Sequence, residues 1–204
     1  GEPPLGRINK TRINFKEIDN LIKDMGRKYS IRVGIIGDKA YQIHEGSGLT
    51  NAELGAVHEF GVKKINVTEK MRNYLHSQGL HLKKDTTTIE IPERSFLRVP
   101  ILGAEGQKKI KKNVKEKFTK EWLGSDRELN KLGAGHLVED FAYAIALEAF
   151  LQVEDAFMDD KIKPPTKPIS KQMRKYNPEA ATLIDKGKDG GLLGSITYEV
   201  KEIK

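Results

Sequence analysis

The chain has no cysteine among its 204 residues. That excludes a disulfide framework, a thiolate metal site and a cysteine nucleophile, and it fits a reducing compartment. It also has no apolar run long enough to cross a bilayer, and its start, GEPPLGRINK, lacks the hydrophobic core of a signal peptide. The expectation is a soluble chain made in the cytoplasm, with no membrane partner. Aromatic residues are scarce, 7% with a single tryptophan, and lysine outnumbers arginine. This leaves no base-stacking platform and no set of fork-shaped base readers. Phosphate loops are missing too. Gly34 and Gly37 lack the third glycine and following helix of a dinucleotide loop, and the GKDGG turn lacks a Gly-Lys-Ser/Thr ending.

What is present is charge, unevenly spread. The net charge is +7, yet Glu105 to Lys120 holds seven lysines against two glutamates, whereas Val138 to Asp160 holds seven acidic residues and neither Lys nor Arg. One helix is basic and the next acidic. Such polarity serves either a nucleic acid on one side or copies of the chain meeting basic edge to acidic edge. Any nucleic-acid contact would be to phosphates and sensitive to salt.

The spacing predicts an α+β fold, a small mixed or antiparallel sheet packed with amphipathic helices, with extended N-terminal and proline-rich arms. Residues 1–13 read as an arm and 14–204 as one domain. Phe15, Ile18, Leu21, Ile22 and Met25 recur at helical spacing, with Asn14 and Glu17 in capping positions and Gly26 beyond the end. Residues 30–36 place Ile31, Val33 and Ile35 on one face of a strand, and 38–50 form a loop. Residues 62–90 read as an excursion, a helix over Val67 to Gln78 stopped by Gly79 and then an extended run; His76 and His81 flank that glycine without a carboxylate cluster. Ile110, Val114, Phe118 and Trp122 give the basic helix a narrow apolar stripe, which makes its lysines mostly a solvated face. A helix follows over 126–160, with Leu129, Leu132, Leu137, Phe141, Ile145 and Phe150 toward the core. Its run FAYAIALEAF is apolar nearly all round, so it is buried on several sides by its own domain or by a neighbouring subunit. Residues 161–181, with four prolines, form a long irregular arm, and LLGSITYEV forms a final strand containing Ser195.

Two punctuated segments stand out. In AELGAVHEFG, Thr50 and Glu53 make a capping box, Gly61 supplies a left-handed stop, and Leu54, Val57 and His58 share one face. His58 suits the negative end of the helix dipole as a partly positive ring, while Glu59 faces solvent or a basic neighbour. The pair is not a zinc-protease helix, because position 62, where a second histidine belongs, is Val. In IPERSFLR, Pro92 breaks a strand, and Phe96 and Leu97 are anchors between Arg94 and Arg98.

In order, a VGI strand, AELGAVHEFG, IPERSFLR, two helices, a proline-rich stretch and LIDKG with a terminal SITYEV resemble the tail-completion or head-tail joining (neck) family of long-tailed bacteriophages, the virion morphogenesis proteins. The resemblance spans residues 31–200 and rests on His58, Glu59, Phe60, Gly61, Pro92, Arg94, Phe96, Leu97, Arg98, Leu183, Ile184, Asp185 and Gly187. It implies a structural subunit with no enzymatic activity and no cofactor. Such a subunit is assembled in the host cytoplasm into a homo-oligomeric ring of about six or twelve copies at the neck of the virion. There it would touch neighbouring neck, head-closure, tail-terminator or tail-tube proteins. The chain departs from the family at Lys186, often Thr, in the inserted KDGG and in the length of the 62–90 excursion. If the basic helix faces DNA passing through the ring, Lys108, Lys109, Lys111 and Lys112 meet it; otherwise they lie outside. The rival readings are a free basic protein contacting nucleic-acid phosphates through Lys108 to Lys120, and a hydrolase or metalloenzyme using His58 and Glu59.

Overall fold

A computed structural model describes residues 15–44, 47–122, 136–173, 181–184 and 191–204. The expected arm over 1–13, Leu129, Leu132, Asp185 and Gly187 lie outside them. Helix α1 (Phe15–Met25) leads into strand β1 (Lys28–Gly34), which pairs antiparallel with the last strand, β4 (Thr197–Ile203), through seven unbroken pairs from Lys28–Ile203 to Gly34–Thr197. Arg32 lies directly opposite Glu199 and the two are ion-paired on the solvent face. The alternate residues Ile31 and Val33 turn inward, as their period requires. The fold is therefore α+β, closed by a ribbon made from the two distant ends of the chain.

The ribbon packs on a long helix that the other elements surround. After the short helix α2 (Asp38–Tyr41), α3 (Asn51–Phe60), β2 (Val62–Asn66), α4 (Glu69–Ser77), β3 (Thr88–Ile91), α5 (Arg98–Leu102) and α6 (Ala104–Trp122), the chain forms α7 (Leu137–Met158). Helix α7 touches α1, α5, α6, β1 and β4. Its buried positions include Ala142, Ala144, Ala146, Ala149 and Ala156, with Val153 and Phe157 the larger members. Small side chains let several neighbours approach one axis, while Phe141, Tyr143 and Met158 of the same helix stay exposed. Phe141, expected in the core, is exposed and meets Phe118 of α6 edge-on at 5.2 Å. The core itself joins Phe96, Val153, Phe157, Ile162, Ile184, Leu192, Leu193 and Ile196.

The 62–90 excursion is a second antiparallel ribbon, β2 with β3, interrupted by α4. Thr68 accepts from the Met71 amide to start α4, and Gly79, at φ 83°, turns the chain back. Arg72 then donates to the carbonyls of Lys83 and Thr86 at 3.0 and 2.6 Å, stapling the return path. His76 and His81 stack edge-on at 4.4 Å, and no group of three or more metal-ligating side chains occurs among the described residues.

Several expectations are corrected. The 38–50 loop contains α2 and a bridge between Ile43 and Thr50. The start of the 161–181 arm is not free: Ile162 is in the core, Arg94 Nε donates to the Pro164 carbonyl at 2.8 Å, and a further short helix, α8 (Pro168–Gln172), follows. Leu192 and Leu193 lie in a helical turn, α9 (Gly191–Gly194), because two consecutive apolar residues both enter the core, which an alternating strand forbids. Ser195 is therefore a buried turn residue whose hydroxyl donates to the Leu192 carbonyl. Two residues of the apolar pattern of α1 do not enter the core. Ile22 and Met25 are 63% and 67% exposed, while Asp24 is buried.

Phe96 is fully buried and meets Phe157 edge-on at 5.5 Å. Phe96→Ala is expected to lower unfolding stability by about 3–5 kcal/mol, read by denaturant titration; a midpoint equal to wild type would refute its role as the core anchor.

Candidate functional site

The motif residues converge where α3 ends and α5 begins. The capping box forms as expected: the Glu53 amide donates to Thr50 Oγ1 at 3.2 Å and the Thr50 amide to the Glu53 carboxylate at 2.8 Å. The buried stripe of α3, however, is Asn51, Gly55 and Glu59. Leu54, Val57 and His58 are half-buried. Gly55 seats the helix on the chain leaving β1, since a Cβ there would fall 2.4 Å from Ile35 Cδ1. Gly61 ends the helix at the expected positive φ, 68°, but with ψ 175° in place of the ψ of a left-handed helical residue, so the chain leaves the cap directly toward β2. A Cβ there would stand 2.7 Å from both Glu93 N and Ile91 O, which explains glycine at this motif position.

Glu59 is the centre. It is 4% exposed, against the solvent-facing alternative; of its neighbours Arg98 is the basic one. One carboxylate oxygen accepts from Ser95 Oγ at 2.8 Å, the Arg98 amide at 3.1 Å and Arg98 Nε at 2.8 Å; the other accepts from the Phe96 and Leu97 amides at 2.8 and 2.9 Å. The three amides belong to the turn that opens α5, which otherwise lacks partners for its first donors. In return, Arg98 Nη2 donates to the Glu59 carbonyl at 2.9 Å and to Glu93 at 2.7 Å, and the Arg94 amide donates to the His58 carbonyl at 2.7 Å. The last turn of α3 and the first of α5 thus satisfy each other. The Arg98 guanidinium also lies 4.7 Å from the Phe60 ring.

Burial pushes the Glu59 carboxyl up, but the Leu97 amide, the Ser95 hydroxyl and the amide and side chain of Arg98 together hold it below its ordinary value. It is an anion with its lone pairs engaged, suited to holding backbone in place and unsuited to taking a proton from a substrate. His58 departs from its expected positive character. Burial first, then Arg94 and His44, lower its pKa to about 4, so the ring is neutral, and its Nδ1 is buried with no partner among the described residues. Pro92 follows the end of β3 half-buried, and Leu183 and Ile184 lie across the core from Phe96, Ile184 within it and Leu183, at φ 63°, against it. Lys108, Lys109, Lys111 and Lys112 are exposed along α6, and of the four Lys109 lines a cavity together with Glu93 and Ser95 of the clasp. Ser95 was missed by sequence reasoning, although its hydroxyl also accepts from the Val99 amide at 3.0 Å; its only signal was a small polar residue wedged between an arginine and a buried aromatic.

Beside the clasp opens an apolar groove of about 530 Å³. Ile31, Val33 and Ile35 form its floor, and α3, α5, α6 and α7 its walls. Phe60 and Leu102 line it while 63% and 64% exposed.

Two titrations follow with definite signs. His58 has a folded pKa depressed from 6.5 to about 4, so its contribution is complete above pH 6.5 and is lost as pH falls toward 4. Glu59 is also depressed, and its contribution is lost as pH falls below the ordinary 4.5. Stability measured against pH should flatten between 6.5 and 4 in His58→Leu, whereas Glu59→Ala, which strands five donors, should cost about 3–5 kcal/mol at neutral pH. A Glu59→Ala protein as stable as wild type would contradict the clasp. No family model, no curated protein and no solved structure matches the chain, so the reading of this site rests on its own geometry.

Proposed function

We propose that the protein is a structural subunit of a tailed-phage virion, a neck or tail-completion ring component that works through protein contacts at the head-tail junction. The observation that supports this reading is the clasp. Glu59, Phe60, Arg94, Phe96, Leu97 and Arg98, which carry the family resemblance, spend their polar chemistry on fixing α3 to α5 and so hold open an apolar groove with exposed Phe60 and Leu102. Exposed apolar surface rimmed by charge is the character of a protein-binding face. The two helices pack on each other within the subunit, and what remains outward, the exposed lysines of α6 and Asp140 and Asp155 of α7, offers opposite charges to neighbouring copies.

Electron microscopy of phage lysates with the gene intact or disrupted tests the proposal. Filled heads and unattached tails in the disrupted lysate are expected; normally joined virions would overturn it. A second reading, contact with DNA phosphates, is favoured by the exposure of Lys108, Lys109, Lys111 and Lys112 on one helix. On that reading, retention on duplex DNA falls steeply with salt, and replacing the four lysines by glutamate abolishes it; retention unchanged by the replacement would dismiss it.

A further inference from the structure

Helix α1 meets its own subunit through a buried carboxylate. Asp24, 1% exposed, accepts from the Val138 amide at 3.1 Å and so occupies the first turn of α7. Fixing that edge inward fixes the opposite edge outward, which is why Ile22 and Met25 face solvent. In sequence, Phe15, Ile18, Ile22 and Met25 fall at i, i+3, i+7 and i+10, the anchor spacing of a helix that lays one face into a groove. The same chain carries such a groove elsewhere. Its floor is Ile31, Val33 and Ile35, and its α7 wall is Ile145 and Ala149, two to three turns beyond the Val138 at which α1 is pinned. A subunit whose α1 is pinned there with Ile22 and Met25 in solvent does not fill its own groove. The polar fit also matches: Arg98 lines the groove and spends Nε and Nη2 on Glu59 and Glu93, with Nη1 unpartnered among the described residues, while Asp19 is exposed at the margin of the apolar face of α1.

We infer that α1 of one copy docks into the apolar groove of a second copy, with Ile22 and Met25 as its anchors and Asp19 against Arg98. The inference rests on the assembly reading above and names its contact. Because helix and groove are different surfaces, the contact is heterologous and propagates from copy to copy, closing into a ring when the rotation permits.

The test uses two variants of the full chain, each altered at exposed positions. Ile22→Asp with Met25→Asp spoils the helix and leaves the groove; Ala56→Asp with Leu102→Asp spoils the groove and leaves the helix. By size-exclusion chromatography with light scattering, wild type should associate with rising concentration and each variant should stay near the 23.0 kDa of one chain. An equimolar mixture should form a complex of two chains and no larger, because one sound helix meets one sound groove. That mixing result also shows that both variants are folded. A monomeric wild type, or a mixture of the two variants that stays monomeric, overturns the docking. Wild-type association that persists in both variants also overturns it while leaving the assembly reading standing, which the virion phenotype tests separately.

Discussion

One buried carboxylate organises the middle of this fold. Glu59 draws the amides of Phe96, Leu97 and Arg98 and the hydroxyl of Ser95 onto the last turn of α3. Withdrawing a carboxylate from water costs several kcal/mol, and a charge-assisted hydrogen bond returns about 1.5–3 kcal/mol, so the donors gathered on Glu59 together offset the cost of burying it. The consequence is positional. Phe96 enters the core because the amide on its own backbone is bound to Glu59, and α5 starts where it does because its first donors already have an acceptor.

The clasp and α7 divide the labour of packing. Helix α7 offers alanines, over which α5, α6 and the terminal ribbon close at short range, and it keeps Val153 and Phe157 for the layer containing Phe96. Arg94 extends the same layer outward by holding the Pro164 carbonyl, and Thr182 continues it by donating its amide to Asp160 at 2.8 Å. The described stretches on either side of 174–180 thereby join the body, because backbone groups of Pro164 and Thr182 find partners on side chains.

What the sequence made legible was local. The capping box of α3, the alternation of β1, the apolar stripe of α6 and the anchoring role of Phe96 each depend on residues within a turn or two of one another. What it hid was tertiary. A glutamate at a helix end reads as facing solvent or a basic neighbour; Arg98 is that neighbour, but the burial of Glu59 and its five donors, 36–39 residues away, are announced by nothing local. The exposure of Ile22 and Met25 was equally hidden, since the Asp24 carboxylate beside them is taken by the distant helix start at Val138. The strand β2 was hidden because VKKIN carries two lysines on its open face and takes its pairing from β3.

The two hidden carboxylates share a physical logic. Each sits at the first turn of another helix, Glu59 at α5, where its two oxygens take five hydrogen bonds, and Asp24 at α7, where one oxygen accepts from the Val138 amide and the other is buried with no partner among the described residues. Each sets the orientation of its own element, and in each case the orientation so fixed leaves apolar surface open. Glu59 holds α3 against α5 along one wall of the groove; Asp24 rolls α1 so that Ile22 and Met25 face outward. Hydrophobic burial alone would turn α1 over and narrow the groove, because each step removes apolar area from water at about 25 cal/mol per Å². Directional polar contacts oppose that collapse. Exposed apolar faces held in place by buried charge are therefore built into this fold, and they are available to a partner without rearrangement of the subunit.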